Sequence, residues 1–371
     1  MLNKYPISVR LTIVLLLAIL FFHAIIAARD FLYPIVFGVL FAYLLYPLSR
    51  FLEKYGFPRI LANIICILFL MSVVGSVVFF IYKQAGNLLN DLPLFKQRAL
   101  GNIDSLEQII EQQFGLTDLR LAEFLRLRVK NFFESGSDFL NIIFSTTAGT
   151  IFRLGILPVY IFLFLFYRTK IAYFILKMAN PKKKPVVVKV LRELSTVVSR
   201  YMGGISTVVL ILCFLNTGGL IIIGFEYPVV FGILSALCTF IPYFGTLIGG
   251  AIPFTFALLT GDSPSLALKV VLLFGFINFL ENNILTPNIV GGSLRINAMV
   301  VIIGLIAAGT VWGIPGMFVV VPLMGMFNIV SENVEKLQPY SFLIGVTGVK
   351  KHAITYTNIR RFIRKIKKQS K

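Results

Sequence analysis

The stretch of sequence that decides the fold is ENNILTPNIVGGSLRINAMVVIIGLIAAGTVWGIPGMFVVVP, residues 281–322. It is apolar enough to lie in a bilayer, yet it opens with an acid and two amides: Glu281, Asn282 and Asn283. Prolines and glycines then interrupt it, at Pro287, Gly291–Gly292 and Gly313–Gly316. A full span needs roughly 20 apolar residues, and broken backbone at membrane depth is tolerated only inside protein or beside a wet cavity. Because discontinuous helices mark binding sites in membrane transporters, we expect the rest of the chain to hold and move this stretch.

The composition is that of a polytopic membrane protein. Of the 371 residues, 57% are hydrophobic and only 14% are charged, and the mean hydropathy is +0.88. A net charge of +19 would suggest a nucleic-acid partner in a soluble protein. Here the basic residues cluster in a few loops and in the C-terminal tail. This pattern fits the positive-inside rule and contact with anionic membrane lipids, so we expect no nucleic-acid partner.

The apolar runs predict an all-α protein with six full spans, two re-entrant or broken helical hairpins and a small extracytoplasmic helical insert. The predicted spans are 9–28, 31–48, 60–82, 141–167, 201–225 and 266–285. The first run is too long for the hydrophobic part of a typical signal peptide, so we expect it to be retained. The predicted regions are spans 1–3 at 1–82, the insert at 83–140, span 4 with a basic segment at 141–200, a core with both broken stretches at 201–336 and a basic tail at 337–371.

The insert at 83–140 differs from the spans because charges of both signs alternate with apolar residues at helical spacing. Asn102 and Thr117 are candidate helix N-caps within it. In contrast, the N-terminus, the loop near Arg50, the loop at Lys182 and the tail are basic. By the positive-inside rule these segments are cytoplasmic, which places both termini in the cytoplasm and the insert outside.

Two apolar stretches, 228–260 and 295–330, are broken near their middles and admit two interpretations. The residues expected to break helices in this half of the chain are Pro242, Gly245, Pro287, Gly313, Pro315 and Gly316. We favour two re-entrant hairpins, the first dipping in from outside and the second from inside. Span 5 with its hairpin would then be an inverted counterpart of span 6 with its hairpin. In the alternative, each stretch is a kinked helix that crosses once, which gives eight crossings.

Three segments make a family resemblance specific. Ile241–Gly245 reads Ile-Pro-x-x-Gly, Glu281-Asn282 is followed by Pro287, and Gly313-Ile314-Pro315-Gly316 precedes Pro322. Together with Leu157-Pro158 before Phe166-Tyr167, these motifs resemble the autoinducer-2 exporter (AI-2E) family of bacterial membrane proteins, over nearly the whole chain.

The resemblance implies a bacterial inner-membrane transporter with a helical insert between spans 3 and 4. It also implies a homo-oligomer, which is pentameric in described members. The transported species would be a small signalling molecule that is exported, or Na⁺ exchanged for H⁺. Where the family commonly has an acidic residue after span 4, this chain has Arg168-Thr169-Lys170, so no role is carried over to that position.

Glu281 is the first candidate for a binding residue. An intramembrane carboxylate costs free energy, so its presence in an apolar segment indicates a function. It would bind a cation or carry a proton; the alternative is an interfacial acid at the end of span 6. Asn278 lies one turn before Asn282, so these two amides and Glu281 would form a polar stripe, with Asn283 beside it. The amides would coordinate a polar solute or sodium, or else cap the helix end. Arg153 in span 4 either pairs with Glu281 or lies at the outer interface.

No motif indicates catalysis, a metal or a cofactor. The sequence contains no His-Glu-x-x-His, Gly-x-Ser-x-Gly, Gly-Lys-Ser/Thr or Cys-x-x-Cys. Its three cysteines, Cys66, Cys213 and Cys238, lie in apolar segments and not at metal-ligand spacing. We therefore expect a secondary transporter and not an enzyme, which exports a small polar solute or exchanges Na⁺ for H⁺. The alternatives are an oligomeric channel and a membrane scaffold.

Overall fold

The computed structural model describes residues 6–114, 119–145, 147–242, 244–261, 264–292 and 294–346. Throughout these ranges the secondary structure is helical apart from one isolated bridge, which confirms the predicted all-α fold. The α-helices are α1 Ile7–Ala27, α2 Arg29–Lys54, α3 Arg59–Phe114, α4 Leu119–Ser145, α5 Thr147–Met178, α6 Lys184–Ile222, α7 Pro228–Cys238, α8 Phe244–Thr260, α9 Pro264–Leu280, α10 Ala298–Asn333 and α11 Gln338–Ile344. A π-helix, Glu281–Val290, continues α9, and short 3-10 turns precede α6 and α11.

Six of the described helices are long and apolar enough to cross a membrane. They are Arg29–Lys54, Arg59–Ser105, Gly155–Met178, Pro181–Ile222, Ser265–Val290 and Ala298–Asn333. The first five contain or overlap predicted spans 2–6. Helix α1 coincides with predicted span 1, and its apolar part, Leu11–Ala27, is shorter than the six candidate spans. Large apolar side chains are exposed along these helices, as contact with lipid allows.

Helix α3 joins the third span to the predicted insert without a break. It has 56 residues and is ~84 Å long, whereas a bilayer core needs only roughly 20 helical residues. Residues 83–114 of α3 pair with α4, and Arg126 of α4 forms salt bridges with Asp104 and Glu107 of α3. We call this pair, residues 83–114 with α4, the arm. The prediction that Asn102 caps a helix is wrong, because Asn102 lies inside α3, and Thr117 lies outside the described residues.

The chain forms two compact units, which are described separately. The first contains residues 1–171 and 199–292, and the second contains residues 172–198 and 293–371. In the first unit, one apolar cluster joins α2, α3 and α5 around Ile161. A second joins the arm to α7 and α8 around Phe231 and Phe256, and a third joins α6, α7 and α9 around Leu212 and Ile277. Apolar packing thus fixes α6 to α9 against one another.

In the first unit, α7 and α8 pack against each other as a helical hairpin with Pro242 in its turn. The Ser235 hydroxyl on α7 donates a hydrogen bond to the Gly249 carbonyl on α8. Near the turn, a Cβ on Gly245 would overlap the carbonyl of Cys238, so the close approach of α7 and α8 requires glycine at this position. Helix α7 has 11 residues, or ~17 Å, which is too short to cross a bilayer core of ~30 Å.

In the second unit, α10 also doubles back, and it does so at Gly313. This residue has φ 66° and ψ −149°, a backbone region that is essentially restricted to glycine. The Met324 side chain packs directly on Gly304. In a straight helix these two residues would lie ~30 Å apart. Both broken stretches are therefore folded-back helix pairs and not kinked rods.

Close contacts fix the α10 hairpin both at its turn and at its start. Pro315 and Gly316 lie in the first turn after Gly313, where a Cβ on Gly316 would overlap the carbonyl of Ala308. At the opposite end, the Asn297 N–H donates a hydrogen bond to the Ile344 carbonyl, at 2.7 Å. This contact ties the start of α10 to the end of α11.

Candidate functional site

A small cavity lies in the first unit, among α6, the α7–α8 hairpin, α9 and the π-helix. Its volume is about 20 Å³, enough for one water-sized occupant. The polar residues that line it are Asn216, Ser235, Thr239, Thr246, Asn278 and Glu281, and the remainder are Leu212, Gly249, Gly250, Phe274 and Ile277. Four separate helical segments supply these polar groups, so the cavity exists only in the folded chain.

Glu281 is the one carboxylate in the cavity lining, and it is 6% exposed. Within the described part of the chain, its carboxylate makes no hydrogen bond and no ion pair. The predicted alternative of a pairing with Arg153 lies outside the described side chains. A buried carboxylate without a partner is unfavourable, and binding of a proton or a cation would remove most of that cost.

Glu281 is also the first residue of the π-helix. Pro287, further along this segment, has no N–H to donate, and its ring would clash with a carbonyl one turn earlier in a regular α-helix. The helix widens over ten residues and continues to Val290, so Pro287 does not interrupt it and span 6 extends beyond the predicted end at 285. Gly291, with φ 60°, ends it. Such π segments occur frequently at functional sites.

Asn216 on α6 was missed by the sequence analysis. It is 4% exposed and lines the cavity. Its amide nitrogen donates to the Gly232 carbonyl at 3.5 Å, whereas its Oδ1 atom is buried and has no hydrogen-bond partner in the part of the chain that the structure describes. The available signal was an Asn-Thr pair, Asn216-Thr217, inside the otherwise apolar run of span 5. A buried acceptor without a donor is unusual, which makes Asn216 Oδ1 a second candidate ligand atom.

The α7–α8 hairpin supplies hydroxyl groups to the same cavity. Ser235 comes from α7, Thr239 from the turn directly after it, and Thr246 from the first turn of α8. The hydrogen bond from Ser235 to Gly249 uses the Ser235 proton and leaves the lone pairs of that oxygen available. These oxygens lie on the hairpin, so movement of the hairpin would change the cavity.

The four predicted polar residues of span 6 do not all reach the cavity. Asn278 lines it together with Glu281. Asn282 is exposed and donates hydrogen bonds to the backbone carbonyl and the side-chain oxygen of Asn278, which is the predicted shared face. Asn283 is exposed and donates to the Phe279 carbonyl at 2.8 Å. The predicted break residues Gly313, Pro315 and Gly316 lie in the second unit, and neither Pro242 nor Gly245 lines the cavity.

The chemistry of the lining favours a positive occupant. Among the described residues it holds one carboxylate, two amides and three hydroxyls, with no lysine, arginine or histidine. Oxygen ligands of this kind suit hard cations, and the carboxylate alone can take a proton. Among the described residues, no group of three or more His, Cys, Asp or Glu is placed to hold a metal ion. The arrangement therefore suits H⁺ or a small monovalent cation.

Arg168, which stands where an acidic residue was expected from the family resemblance, belongs to a separate polar network. Its guanidinium forms a salt bridge with Glu53 of α2 and donates to the Ser49 hydroxyl at 3.3 Å. Ser49 in turn donates to the Asn63 side-chain oxygen on α3, at 2.7 Å. Arg59 adds a second contact to Glu53, at 3.7 Å. Arg168 thus joins the ends of α2, α3 and α5 and lies apart from the cavity.

The match to the family model described as AI-2E family transporter covers residues 12–336. The chain is 24% identical to YrrI of Bacillus subtilis (strain 168) over 311 residues, which is 80% of this chain and 84% of YrrI. It is 25% identical to YueF of the same organism over 329 residues, 83% of this chain and 86% of YueF. It is 25% identical to the AI-2 transport protein TqsA of Escherichia coli (strain K12) over 341 residues, 91% of this chain and 96% of TqsA. The chain therefore belongs to the AI-2E transporter family, and it is a multi-pass membrane protein with a role in transport.

Proposed function

We propose that this protein is a secondary transporter of the bacterial inner membrane and that the cavity at Glu281 is its binding site. It either exports a small polar solute or exchanges Na⁺ for H⁺. The observation that carries the proposal is that one cavity is lined by two buried groups, the Glu281 carboxylate and the Asn216 Oδ1 atom, neither of which has a hydrogen-bond partner among the described residues. A cation in the cavity could be coordinated by both oxygens, and a proton would neutralise the carboxylate.

The size of the cavity favours the ion-exchange form of the proposal. About 20 Å³ accommodates a water-sized occupant such as Na⁺, and a single carboxylate can hold either Na⁺ or H⁺. Competition between two cations for one carboxylate couples their movements in opposite directions if the site changes its exposure only when it is occupied. The name of TqsA states that this relative transports AI-2. Export of a solute of that size here would require the hairpin to move away from α6 and α9.

Alternating access would come from the two folded-back helix pairs. The α7–α8 pair is too short on its α7 side to cross the bilayer, so we propose that it re-enters from the side of the arm. The α10 pair would re-enter from the opposite side. Transporters with inverted repeats place their sites near the midplane at such broken helices. The proposal also includes cytoplasmic termini and a homo-oligomer, as the basic loops and the family resemblance imply.

The decisive experiment uses purified protein in liposomes, with Na⁺-driven proton movement followed by an internal pH dye and AI-2 efflux followed in parallel. We expect Glu281→Gln to reduce the active flux at least about tenfold, because it removes the charge that makes binding favourable. Asn283→Ala is the matched control, since this amide is exposed and bonds only its own helix. Wild-type flux in the Glu281→Gln protein would refute the proposal, and unitary currents in a planar bilayer would indicate a channel instead.

A further inference from the structure

One face of the arm carries four residues that all contact the α7–α8 hairpin. They are Asp91, Phe95, Arg98 and Asn102, and their spacing of four, three and four residues places them along one side of α3. We call these four residues the brace. The sequence predicts a helical insert outside the bilayer here, and the contact of that insert with the hairpin is seen only in the tertiary structure.

The brace holds the start of the hairpin. Tyr227, the residue that precedes α7, donates its hydroxyl hydrogen to the Asp91 carboxylate and packs edge-on against Phe95. Burial, and then the Asp91 carboxylate, raise the pKa of the Tyr227 phenol to about 12, so it remains a donor at physiological pH. Arg98 forms a salt bridge with the adjacent Glu226, at 3.1 Å. Tyr227 has φ 55°, a strained backbone conformation for a bulky residue, so its neighbours must hold it there.

The brace also holds the end of the hairpin. The Asn102 amide nitrogen donates to the carbonyls of Leu259 and Gly261, at 2.9 Å and 3.3 Å. The last carbonyls of a helix lack partners within that helix, so this amide acts as a cap supplied by another segment. Phe95 completes the contact by packing edge-on against Phe256 of α8, at 5.0 Å between ring centroids.

Both ends of the hairpin are therefore attached to one rigid helix, while the opposite part of the hairpin forms the cavity wall through Thr239 and Thr246. We propose that the brace sets the position of the hairpin over the cavity, with Asn102 and Asp91 as positioning residues for transport. Release of the brace would let the hairpin move as a unit and open the cavity more often. The inference rests on the proposed function only where transport is measured, since the labelling experiment below does not require the protein to transport anything.

The test measures access to the cavity directly. Thr246→Cys is introduced into a background in which Cys66, Cys213 and Cys238 are replaced by alanine, and its reaction rate with a small charged methanethiosulfonate is measured in the full-length protein in liposomes. We expect Asn102→Ala to raise this rate about fivefold, as the loss of hydrogen bonds of ordinary strength would. Ser105→Ala is the matched control on the same helix, because its exposed hydroxyl bonds only Gly101.

Tyr227→Phe is the second variant, since it removes one hydroxyl and retains the aromatic packing. It should raise the labelling rate in the same direction, with the melting temperature in detergent lowered by no more than the loss of one hydrogen bond, and it decides the matter if Asn102→Ala fails to fold. In transport assays both variants should change turnover and leave the half-saturating Na⁺ concentration unaltered. Labelling of both folded variants at the wild-type rate would overturn the inference. A wild-type protein without flux would defeat the proposed function alone, because the labelling result still tests the brace.

Discussion

The Ser235 hydroxyl on α7 and the Gly249 carbonyl on α8 are joined by a hydrogen bond that closes the hairpin beside the cavity. A Cβ added to Gly249 would lie 2.7 Å from the Ser235 carbonyl oxygen, which is backbone and cannot turn aside. We expect Gly249→Ala to separate the two helices and to lower the free energy of unfolding by about 1–3 kcal/mol. The measurement is thermal unfolding in detergent.

Gly250 is the matched control for that substitution. A Cβ at Gly250 would lie 3.4 Å from the Phe274 ring, which is an ordinary contact with a side chain that can adjust. Gly250→Ala should therefore unfold close to the wild-type temperature. Equal effects of the two alanines would show that the hairpin is not closely packed at Ser235.

Asn216 should matter chiefly for affinity, because the hydrogen bond that its amide nitrogen donates to the Gly232 carbonyl is long, at 3.5 Å. Replacement of its unpartnered oxygen by alanine removes one ligand from the proposed cation site. We expect Asn216→Ala to raise the half-saturating Na⁺ concentration about tenfold, which corresponds to ~1.4 kcal/mol. The value comes from the dependence of proton movement on Na⁺ concentration in liposomes. An unchanged half-saturating concentration, with Asn283→Ala as the reference, would remove Asn216 from the site.

The fold-back of α10 depends on the backbone of Gly313. An alanine at φ 66° and ψ −149° is strained, so we expect Gly313→Ala to cost about 1–3 kcal/mol of unfolding free energy. Gly275→Ala is the control, because Gly275 lies inside α9 with open space around it. Alanine there should be neutral or slightly stabilising, since it favours the helix by up to ~1 kcal/mol. Similar stability of the two variants would contradict a fold-back at Gly313.

The salt bridge between Arg168 and Glu53 should show measurable coupling. Both side chains are only about one-fifth exposed, so solvent screens the pair partially. A double-mutant cycle with Arg168→Gln and Glu53→Gln should give a coupling of about 1 kcal/mol in unfolding free energy. The same cycle on the exposed pair Lys130 and Glu134 should give only ~0.3 kcal/mol. A coupling near zero at Arg168 would mean that it does not join α2 to α5.

The membrane side of the α7–α8 hairpin is open to direct labelling. If this hairpin re-enters, single cysteines at Glu226 and at Ser265 lie on the same side of the membrane and should both react with an impermeant thiol reagent from outside. A single crossing would place them on opposite sides. Reaction of only one of the two from outside would refute re-entry, and the cysteine-free protein provides the background.

Much of the fold followed from sequence because its causes are local. Apolar runs of sufficient length give spanning helices, and the clustered glycines and prolines around Pro242 and Gly313 predict the places where the chain folds back. Glu281 was identified for the same reason, since a carboxylate in an apolar block is conspicuous whatever surrounds it. The effect of Pro287 was predicted less well: the helix widens into a π-helix and continues, because the wider turn accommodates a ring that would clash in a regular α-helix.

What only the tertiary structure decided is which distant groups meet. Asn216 is one amide in an apolar helix, and nothing near it in sequence shows that its oxygen lines the cavity of Glu281. Asn102 resembles a helix cap in sequence, yet it caps the end of α8 from inside α3. Such pairings depend on how helices from separate parts of the chain pack, because side chains converge through the shapes of apolar surfaces. By itself the sequence determined the helices, most of their breaks and the acid in the apolar block; the packing of separate helices brought that acid and Asn216 together in one cavity.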